Sequence, residues 1–422
     1  MKMWVHLLWL TLMLMSLTPS ALRAAPPLEM PLELSALVQE ALARNPEIQA
    51  ARSQWEAALE QIPQATTLPD PTIGIQLWNV PQNGNLGTSV TRTQNTIYTL
   101  SQTFPFPGKL PLKGEMAHRT AGMTQQALRA KERDLVGRVK QVYLKLFFAH
   151  KDLQIHHEHV DLLKQLFDTA KAKFRAGQGT QVDVLKAQVE LSNLYQRLPV
   201  LEQQRETMAA KLNTLLNRDP RGPLGIPREP TATGWAKPLE DVEGAALMSR
   251  PELKAAELAI EKGEKLRAFA ERQYYPDFEV AVQRFQNFQA TDGFGAIASI
   301  NIPFSFWTKR KYDAGVREAQ AIAAAARAEY QNWQNLTRLQ LTESISKVRA
   351  QQQVADLYRT TILPQAEQNL EAARAGYRTG KNGFLDVIEA QRALLEFRLA
   401  FYRALVERDV EVAALEQVAG TL

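Results

Sequence analysis

Two acidic residues three positions apart, Asp386 and Glu389, are the strongest candidate in this sequence for a charged binding site. At that spacing both carboxylates lie on one face of a helix. The dipole of a helix also favours acids at its start, and this explains Asp183, whose spacing from Thr180 matches a capping box. The dipole explains Glu389 less well. Glu389 follows Asp386 by three residues, and the residue that follows Asp183 by three is a lysine, Lys186. The pair therefore points to a role beyond helix stability.

Four histidines, His150, His156, His157 and His159, also carry metal-binding chemistry. His156 and His159 share a helix face, but no acid–histidine motif with the spacing of zinc proteases accompanies them. Their neighbours are charged, so we expect a solvated polar helix face and no metal site. The chain contains no cysteine, which excludes thiolate catalysis, cysteine-ligated zinc and disulfide bonds.

Catalytic motifs are absent from the sequence. It has no glycine-rich phosphate loop after a strand, no nucleophile elbow and no plausible triad. We therefore expect neither an enzyme nor a cofactor. The formal net charge is +5, but basic and acidic residues are interleaved, so no nucleic-acid partner is expected.

The N-terminal segment has the composition of a secretory signal peptide. Lys2 is followed by an apolar run from Leu7 to Leu17 and by the small residues Ala21, Ala24 and Ala25. The run is shorter than the roughly 20 residues of a membrane-spanning helix. We expect export, with cleavage after Ala24 or Ala25. No later segment resembles a transmembrane helix, so any membrane crossing is expected to use strands.

Three sequence blocks occur twice in the same order, which indicates an internal duplication. The blocks begin at Asn45 and Arg250, at Phe104 and Ile302, and at Phe174 and Tyr377. Five prolines between the two halves forbid a continuous helix. We predict a signal peptide at 1–24, a first repeat at 25–219, a proline-rich linker at 220–238 and a second repeat at 239–422.

Each half is predicted to contain a helix, a β-hairpin and a long helical hairpin. The expected first helices cover 34–65 and 242–273, the strands 72–78, 96–104, 278–282 and 294–304, and the turns 81–85 and 291–293. Proline is absent from Glu115 to Phe174, and a helix of that length reaches roughly 90 Å. Apolar residues at steps of three and four in the return helices favour coiled-coil packing.

The predicted strands cannot close a barrel within one chain, because the smallest bacterial barrels have about eight strands. Sheet edges are not tolerated in lipid, so strands that cross a membrane must be pooled by several copies. Three copies would supply an acceptable number of strands, but the residues alone do not choose three over two or four.

Both halves carry a motif of the form aromatic-Arg-x-Gly, five residues, then Asp-Val-Leu/Ile-x-Ala-Gln, at Phe174–Gln188 and Tyr377–Gln391. With the duplicated plan, this motif resembles the TolC family of outer-membrane efflux proteins over nearly the whole mature chain. The segment Phe104–Lys109 is similar to that of the heavy-metal-efflux (CzcC-like) branch. The resemblance implies a mainly α fold with a small β part, in which a trimeric α-barrel extends into the periplasm below a shared twelve-stranded transmembrane β-barrel.

The resemblance also implies a function and its partners. A homotrimer in outer-membrane lipid would conduct substrates, metal cations among them, from a periplasmic adaptor (membrane fusion) protein and an inner-membrane transporter of the RND type. Asp386 and Glu389 would form an acidic ring at the pore gate, and Tyr377 and Arg378 would link the gate. The residues expected to contact the adaptor are those of the two helical turns: Gly177, Gln178, Gly179, Thr180, Gly380, Lys381, Asn382 and Gly383.

Two other functions remain open at this stage. The same duct would serve a type I protein secretion system, because specificity then lies in the pump. A periplasmic coiled-coil adaptor would also show heptads, although adaptors usually have one helical hairpin and additional β-rich modules. The aromatic residues near the strand ends either form interfacial girdles or pack at strand–helix junctions; they are Trp78, Tyr98, Phe104, Phe106, Phe304, Phe306 and Trp307.

Overall fold

The computed structural model of this protein describes residues 32–78, 95–229, 239–287, 291–303 and 305–420. The predicted signal peptide at 1–24, the turn predicted at 81–85 and the end of the predicted linker, 230–238, lie outside these ranges. Phe304 and the side chain of Trp78 lie outside them as well.

The two halves follow the same order of helices and strands. In the first half, α1 (Leu34–Arg44) and α2 (Pro46–Thr66) precede β1 (Thr72–Trp78) and β2 (Asn95–Phe104), and α3 (Lys109–Arg175) and α4 (Gln181–Leu215) follow. In the second half, α5 (Leu239–Ser249) and α6 (Pro251–Arg272) precede β3 (Phe278–Asn287) and β4 (Gly293–Ile300). The long helical pair then comprises α7 (Lys309–Leu357), a π-helical turn (Tyr358–Ile362), α8 (Leu363–Arg378) and α9 (Phe384–Ala419). The predicted mainly helical, duplicated fold is confirmed.

The continuous first helices predicted over 34–65 and 242–273 were wrong, because each is broken before a proline. Asn45 has extended backbone angles and its side chain accepts a hydrogen bond from the Glu47 N–H at 2.9 Å. Arg250 is extended in the same way before Pro251. A residue that precedes proline avoids the α region, so a new helix begins at the proline.

Two strand boundaries also differ from the prediction. β3 continues to Asn287 instead of ending at 282, and it remains paired with β2 over this extension. β4 ends at Ile300 instead of 304. Pro303 has no N–H to offer a neighbouring strand, and the chain turns there.

The strands form one antiparallel sheet in the order β1-β2-β3-β4. Its register aligns Ile73 with Leu100, Leu100 with Val282 and Val282 with Ala296. The aligned side chains lie on one face, and its large apolar members are exposed, Ile73 by 80%. Within the described residues, β1 and β4 are each paired along one edge only. The sheet therefore presents an unpartnered apolar face and two free edges.

The long helices pack lengthwise against one another below the sheet. α3 contacts α2, α4, α6 and α9, and α7 contacts α6 and α9. Helices of the first half thus lie against helices of the second half along most of the molecule. None of the helices in the described ranges combines the length and the apolar character that a bilayer crossing requires.

A buried ion pair joins the two halves where the sheet meets the helices. The Lys109 ammonium, only 3% exposed, donates to the Asp277 carboxylate at 2.8 Å and to the Tyr275 carbonyl oxygen at 2.9 Å. The same Asp277 oxygen accepts the Phe106 N–H at 2.7 Å. The Phe106 ring also stacks on Tyr275, with centroids 4.6 Å apart. Lys109 begins α3 and Asp277 precedes β3, so this contact fixes the start of the longest helix to the other repeat.

We expect Asp277→Ala to destabilise the protein by about 3–5 kcal/mol, because it leaves the Lys109 ammonium buried without a counter-charge. Lys109→Met should cost less, since Asp277 is partly exposed and water can hydrate its carboxylate. The midpoint of thermal unfolding in detergent, followed by circular dichroism, measures both. Asp292→Ala, which removes an exposed ion pair with Arg284, is the matched control and should change stability by at most about 1 kcal/mol. Equal effects of Asp277→Ala and the control would contradict this role.

Candidate pore entrance at the helical tips

The two helical hairpins reverse through turns of the same geometry. The α3–α4 turn uses Gly177 in the left-handed region at φ +70°, and the α8–α9 turn uses Gly380 at φ +75°. In the first turn the Gln178 N–H donates to the Lys173 carbonyl oxygen at 2.9 Å, and in the second the Lys381 N–H donates to the Gly376 carbonyl oxygen at 2.8 Å. These bonds form the same helix-ending motif, in which glycine is favoured at the left-handed position because it has no side chain to clash there.

The helices that leave the two turns are capped differently. Thr180 accepts a hydrogen bond from the Asp183 N–H at 3.2 Å, and the Asp183 carboxylate accepts the Thr180 N–H at 3.4 Å. In the second turn the Asp386 carboxylate accepts the Gly383 N–H at 3.0 Å. Gly383 has no side chain to return the bond, so only half of the capping box is retained. Asp386 therefore has a local structural role in addition to its charge.

Asp386 and Glu389 are both exposed, on the face of α9 that points away from the core. The opposite face of α9 contributes to the tip core, the cluster of buried apolar side chains that α3, α4, α8 and α9 share. Neither acid forms an ion pair with any residue that the structure describes. Lys186, the counterpart of Glu389, is exposed on α4. The two tips thus carry opposite charges at this one equivalent position, while both have an aspartate at the start of the helix. The tip core consists of Val160, Leu163, Leu166, Ala170, Ala187, Leu194, Ala366, Leu370, Ala373, Tyr377, Phe384, Val387, Ile388, Ala390 and Leu394.

Tyr377 connects the two tips within one chain. Its carbonyl oxygen accepts a hydrogen bond from the Lys173 ammonium, which also lies 4.4 Å from the centroid of the Tyr377 ring. The ring packs edge-on against Phe384, with centroids 5.3 Å apart. Burial, and secondarily the negative charge of Asp183, raises the pKa of the Tyr377 phenol. The other predicted gate residue, Arg378, is exposed and has no ion pair among the described residues.

One ion pair at the tip was not predicted from the sequence. The Glu190 carboxylate on α4 accepts a hydrogen bond from the Arg392 Nε on α9 at 2.8 Å. This hydrogen bond is the main reason why the pKa of Glu190 is lowered. The two residues belong to different repeats and are far apart in the chain, so no spacing could have identified them.

The prediction of a solvated polar face was wrong for two of the four histidines. His156 and His159 are buried, and His157 is exposed. His156 lies 2.8 Å from an Asp152 carboxylate oxygen on the same helix, and the His159 carbonyl oxygen accepts a hydrogen bond from Gln391 at 3.2 Å. Within the described ranges no group of three or more potential metal ligands occurs.

The described tip combines exposed acids with contacts that join the two hairpins. Exposed acids on one hairpin can attract cations, and Lys173, Tyr377, Glu190 and Arg392 hold that hairpin to its neighbour.

Comparison with known proteins gives one family. The model of the family described as "Outer membrane efflux protein" matches residues 37–218 and 243–421. The cobalt-zinc-cadmium resistance protein CzcC of Cupriavidus metallidurans is 24% identical over 406 residues, which cover 92% of this chain and 90% of that protein. The pyoverdine export outer membrane protein OpmQ of Pseudomonas putida is 23% identical over 375 residues, covering 82% of this chain and 76% of that protein.

Solved structures share the fold at low sequence identity. The CusC channel superposes with a TM-score of 0.79 at 18% identity, covering 92% of this chain and 91% of that chain. The outer membrane protein VceC of Vibrio cholerae superposes with a TM-score of 0.77 at 18% identity, covering 92% and 96%.

We expect Gly380→Ala to destabilise the second tip by roughly 1–2 kcal/mol, because a side chain is disfavoured in the left-handed region. Gly383→Ser is the matched control, since Gly383 has φ −73° and a serine hydroxyl there can complete the cap. It should stabilise the protein by a few tenths of a kcal/mol. Thermal unfolding midpoints distinguish the two variants, and a loss of the same size in both would contradict the assigned geometry.

We expect His159 to destabilise the protein in acid. Burial, followed by Arg398 and His156, lowers the pKa of His159 from 6.5 to about 4, and Glu158 opposes the shift. As the pH falls, the His159 imidazole is therefore protonated in the unfolded chain before it is protonated in the folded protein. The free energy of unfolding is unaffected by this group above pH 6.5, and it decreases by about 3 kcal/mol per chain as the pH falls toward 4.

His159→Phe should flatten the dependence of the unfolding midpoint on pH between about 6.5 and 4. The exposed His157 provides the matched variant, and His157→Phe should leave the dependence unchanged. Identical pH profiles for His159→Phe and the unsubstituted protein would contradict the prediction.

Proposed function

The chain belongs to the outer membrane efflux protein family, and on that premise we propose that it is the outer-membrane channel of a tripartite efflux system. It is a protein of the outer membrane whose helices extend into the periplasm. In the proposed system it passively conducts substrates that an inner-membrane transporter of the RND type and a periplasmic adaptor protein deliver.

The observation that carries this proposal is the sheet with two free edges and an exposed apolar face. Free backbone groups are costly in lipid, so one chain's sheet cannot remain alone there. β1 and β4 lie at opposite edges, so pairing β4 of one copy with β1 of the next extends the sheet without changing its antiparallel order. Three copies would close a twelve-stranded barrel, which is an acceptable size for an outer-membrane protein.

The same three-fold arrangement supports an acidic gate. Three copies would bring three pairs of Asp386 and Glu389 around one axis at the tip. Like charges that crowd around a pore attract cations and repel anions. Tyr377 and Arg378 lie at the end of α8, one turn before the reversal, where they would link the gate to the neighbouring hairpin. The eight residues of the two turns are at the free ends of the hairpins, the position we assign to adaptor contact.

Metal cations are the favoured cargo within this proposal. The similarity to a cobalt-zinc-cadmium resistance protein extends over nearly the full length of both chains. A cation-selective entrance suits such a cargo. The negative charge of Asp386 and Glu389 is the feature of this chain that agrees with it, and at the position of Glu389 the first tip has a lysine instead.

We expect Asp386→Asn combined with Glu389→Gln to lower the permeability ratio of cations to anions by at least about threefold at low salt. These substitutions remove the charges while preserving the size of the side chains and a hydrogen-bond acceptor for Gly383. Single-channel recordings in planar bilayers with a salt gradient measure the ratio. Asp183→Asn, at the equivalent cap of the first tip, should change it little.

Unchanged selectivity in the double variant would place these acids away from the pore. Membrane fractionation and gel electrophoresis test the proposed channel function itself. The protein should appear in the outer-membrane fraction and run as a heat-labile oligomer in detergent. A soluble monomer of the processed chain would contradict it.

A further inference from the structure

Two aromatic side chains are left uncovered where the second hairpin meets the long helices. Phe306 is 88% exposed and Trp307 is 71% exposed, and their rings contact each other edge-on with centroids 4.5 Å apart. The first repeat differs at its junction, where Phe106 stacks on Tyr275. Exposing two large aromatic rings to water is costly, and this indicates that something else covers them.

Three consecutive cations follow the aromatic pair. Lys309, Arg310 and Lys311 are exposed and occupy the first turn of α7, which contains no acid. Cations at a helix start oppose the helix dipole, so helix stability does not account for them. No ion pair links any of the three to a carboxylate in the described part of the chain. By contrast, Lys109 at the start of α3 is buried and paired with Asp277.

The position of these residues matches the boundary of a bilayer. β4 ends at Ile300, whose register partner is Phe278, and Phe278 in turn faces Phe104. These three exposed side chains form the last row of the apolar sheet face before the helices begin. Aromatic rings are favoured at the interface between hydrocarbon and water, and cations just beyond it reach the phosphates of the headgroups.

From these observations we propose that Phe306, Trp307, Lys309, Arg310 and Lys311, here called the junction patch, bind an anionic phospholipid of the periplasmic leaflet. The aromatic pair would lie against the upper acyl chains and glycerol, and the three cations would contact the negatively charged headgroup. This inference rests on the proposed function, because it requires the sheet to stand in the outer membrane. It adds a lipid of defined charge to a general contact with the membrane.

A second copy of the chain is the other candidate occupant, and its charge fits less well. Pairing of β4 with β1 of another copy would bring the segment before β1 next to the patch. Asp70 is the only acid in residues 61–72. One carboxylate cannot neutralise three cations, whereas anionic headgroups are present in number at a membrane surface.

Native mass spectrometry of the detergent-solubilised oligomer tests the proposal, with phosphatidylglycerol as the anionic probe and phosphatidylethanolamine as the zwitterionic one. We expect the unsubstituted protein to bind phosphatidylglycerol more tightly. The triple variant Lys309→Gln/Arg310→Gln/Lys311→Gln should bind it roughly a hundredfold more weakly, at about a fivefold loss per cation. Binding of phosphatidylethanolamine should change little.

The matched control removes three exposed arginines on the helices, Arg52, Arg197 and Arg349, by the substitution Arg→Gln at each. It should retain the preference for phosphatidylglycerol. An equal loss in both triple variants would show a general charge effect and overturn the proposal. So would equal affinity of the unsubstituted oligomer for the two lipids.

Fluorescence quenching tests what covers the aromatic pair. Brominated phosphatidylglycerol should quench part of the tryptophan emission of the reconstituted protein, and Trp307→Phe should reduce the quenched part. If Trp307 is shielded from the brominated lipid in the assembled oligomer, another copy occupies the patch and the proposal is wrong. If no heat-labile oligomer forms at all, the proposed channel fails first; an intact oligomer without lipid preference rejects this inference alone.

Discussion

Backbone hydrogen bonding at the two outer edges of the sheet is the constraint on which the rest of this molecule depends. Among the residues that the structure describes, β1 and β4 each leave one row of N–H and C=O groups unpaired, and such groups cost several kcal/mol in hydrocarbon. Because the two edges are at opposite ends of one unbroken antiparallel sheet, identical copies can satisfy them in a closed ring. The helices continue directly from the strands, so a ring of strands also sets the arrangement of the helices. The buried Lys109–Asp277 pair transmits that arrangement from the sheet to α3.

The duplication supplies the scaffold, and the differences between the copies supply the chemistry. Both tips use the same glycine-dependent reversal, but Thr180 completes a cap that Gly383 cannot, and Glu389 replaces Lys186. At the other end, Lys109 at the start of α3 is paired with Asp277, while the three cations at the start of α7 have no ion pair within the described ranges. Equivalent positions therefore have the same backbone and different charge. The proposed ion selection and the proposed lipid binding therefore both lie in the second repeat and require no change of fold.

Features with local physical causes were predictable from the sequence. Glycine and proline residues mark the ends of helices and strands, so the hairpins, the tips and the order of elements were predictable from their positions. The Thr180–Asp183 cap was predictable from the spacing of the two residues. Contacts between the repeats were not predictable. His159 is buried because α9 covers it, and Gln391 of α9 donates a hydrogen bond to its carbonyl oxygen. Glu190 on α4 pairs with Arg392, which also lies on α9. The π-helical turn was also missed, although Pro364 gives a reason: it has no N–H to donate, and the Leu363 N–H bonds instead to the Tyr358 carbonyl oxygen, one residue further back than in an α-helix.

The free edges of β1 and β4 have a genetic consequence. In a ring of three, every copy pairs its β1 with one neighbour and its β4 with the other. A chain that folds but carries a blocked gate would therefore still be incorporated into the ring. If such a chain were produced in equal amount with the normal one and mixed at random, only about one assembly in eight would consist of normal copies alone. Loss-of-gate alleles would then be dominant, whereas alleles that prevent β1 or β4 from forming would be recessive, because their products never enter the ring.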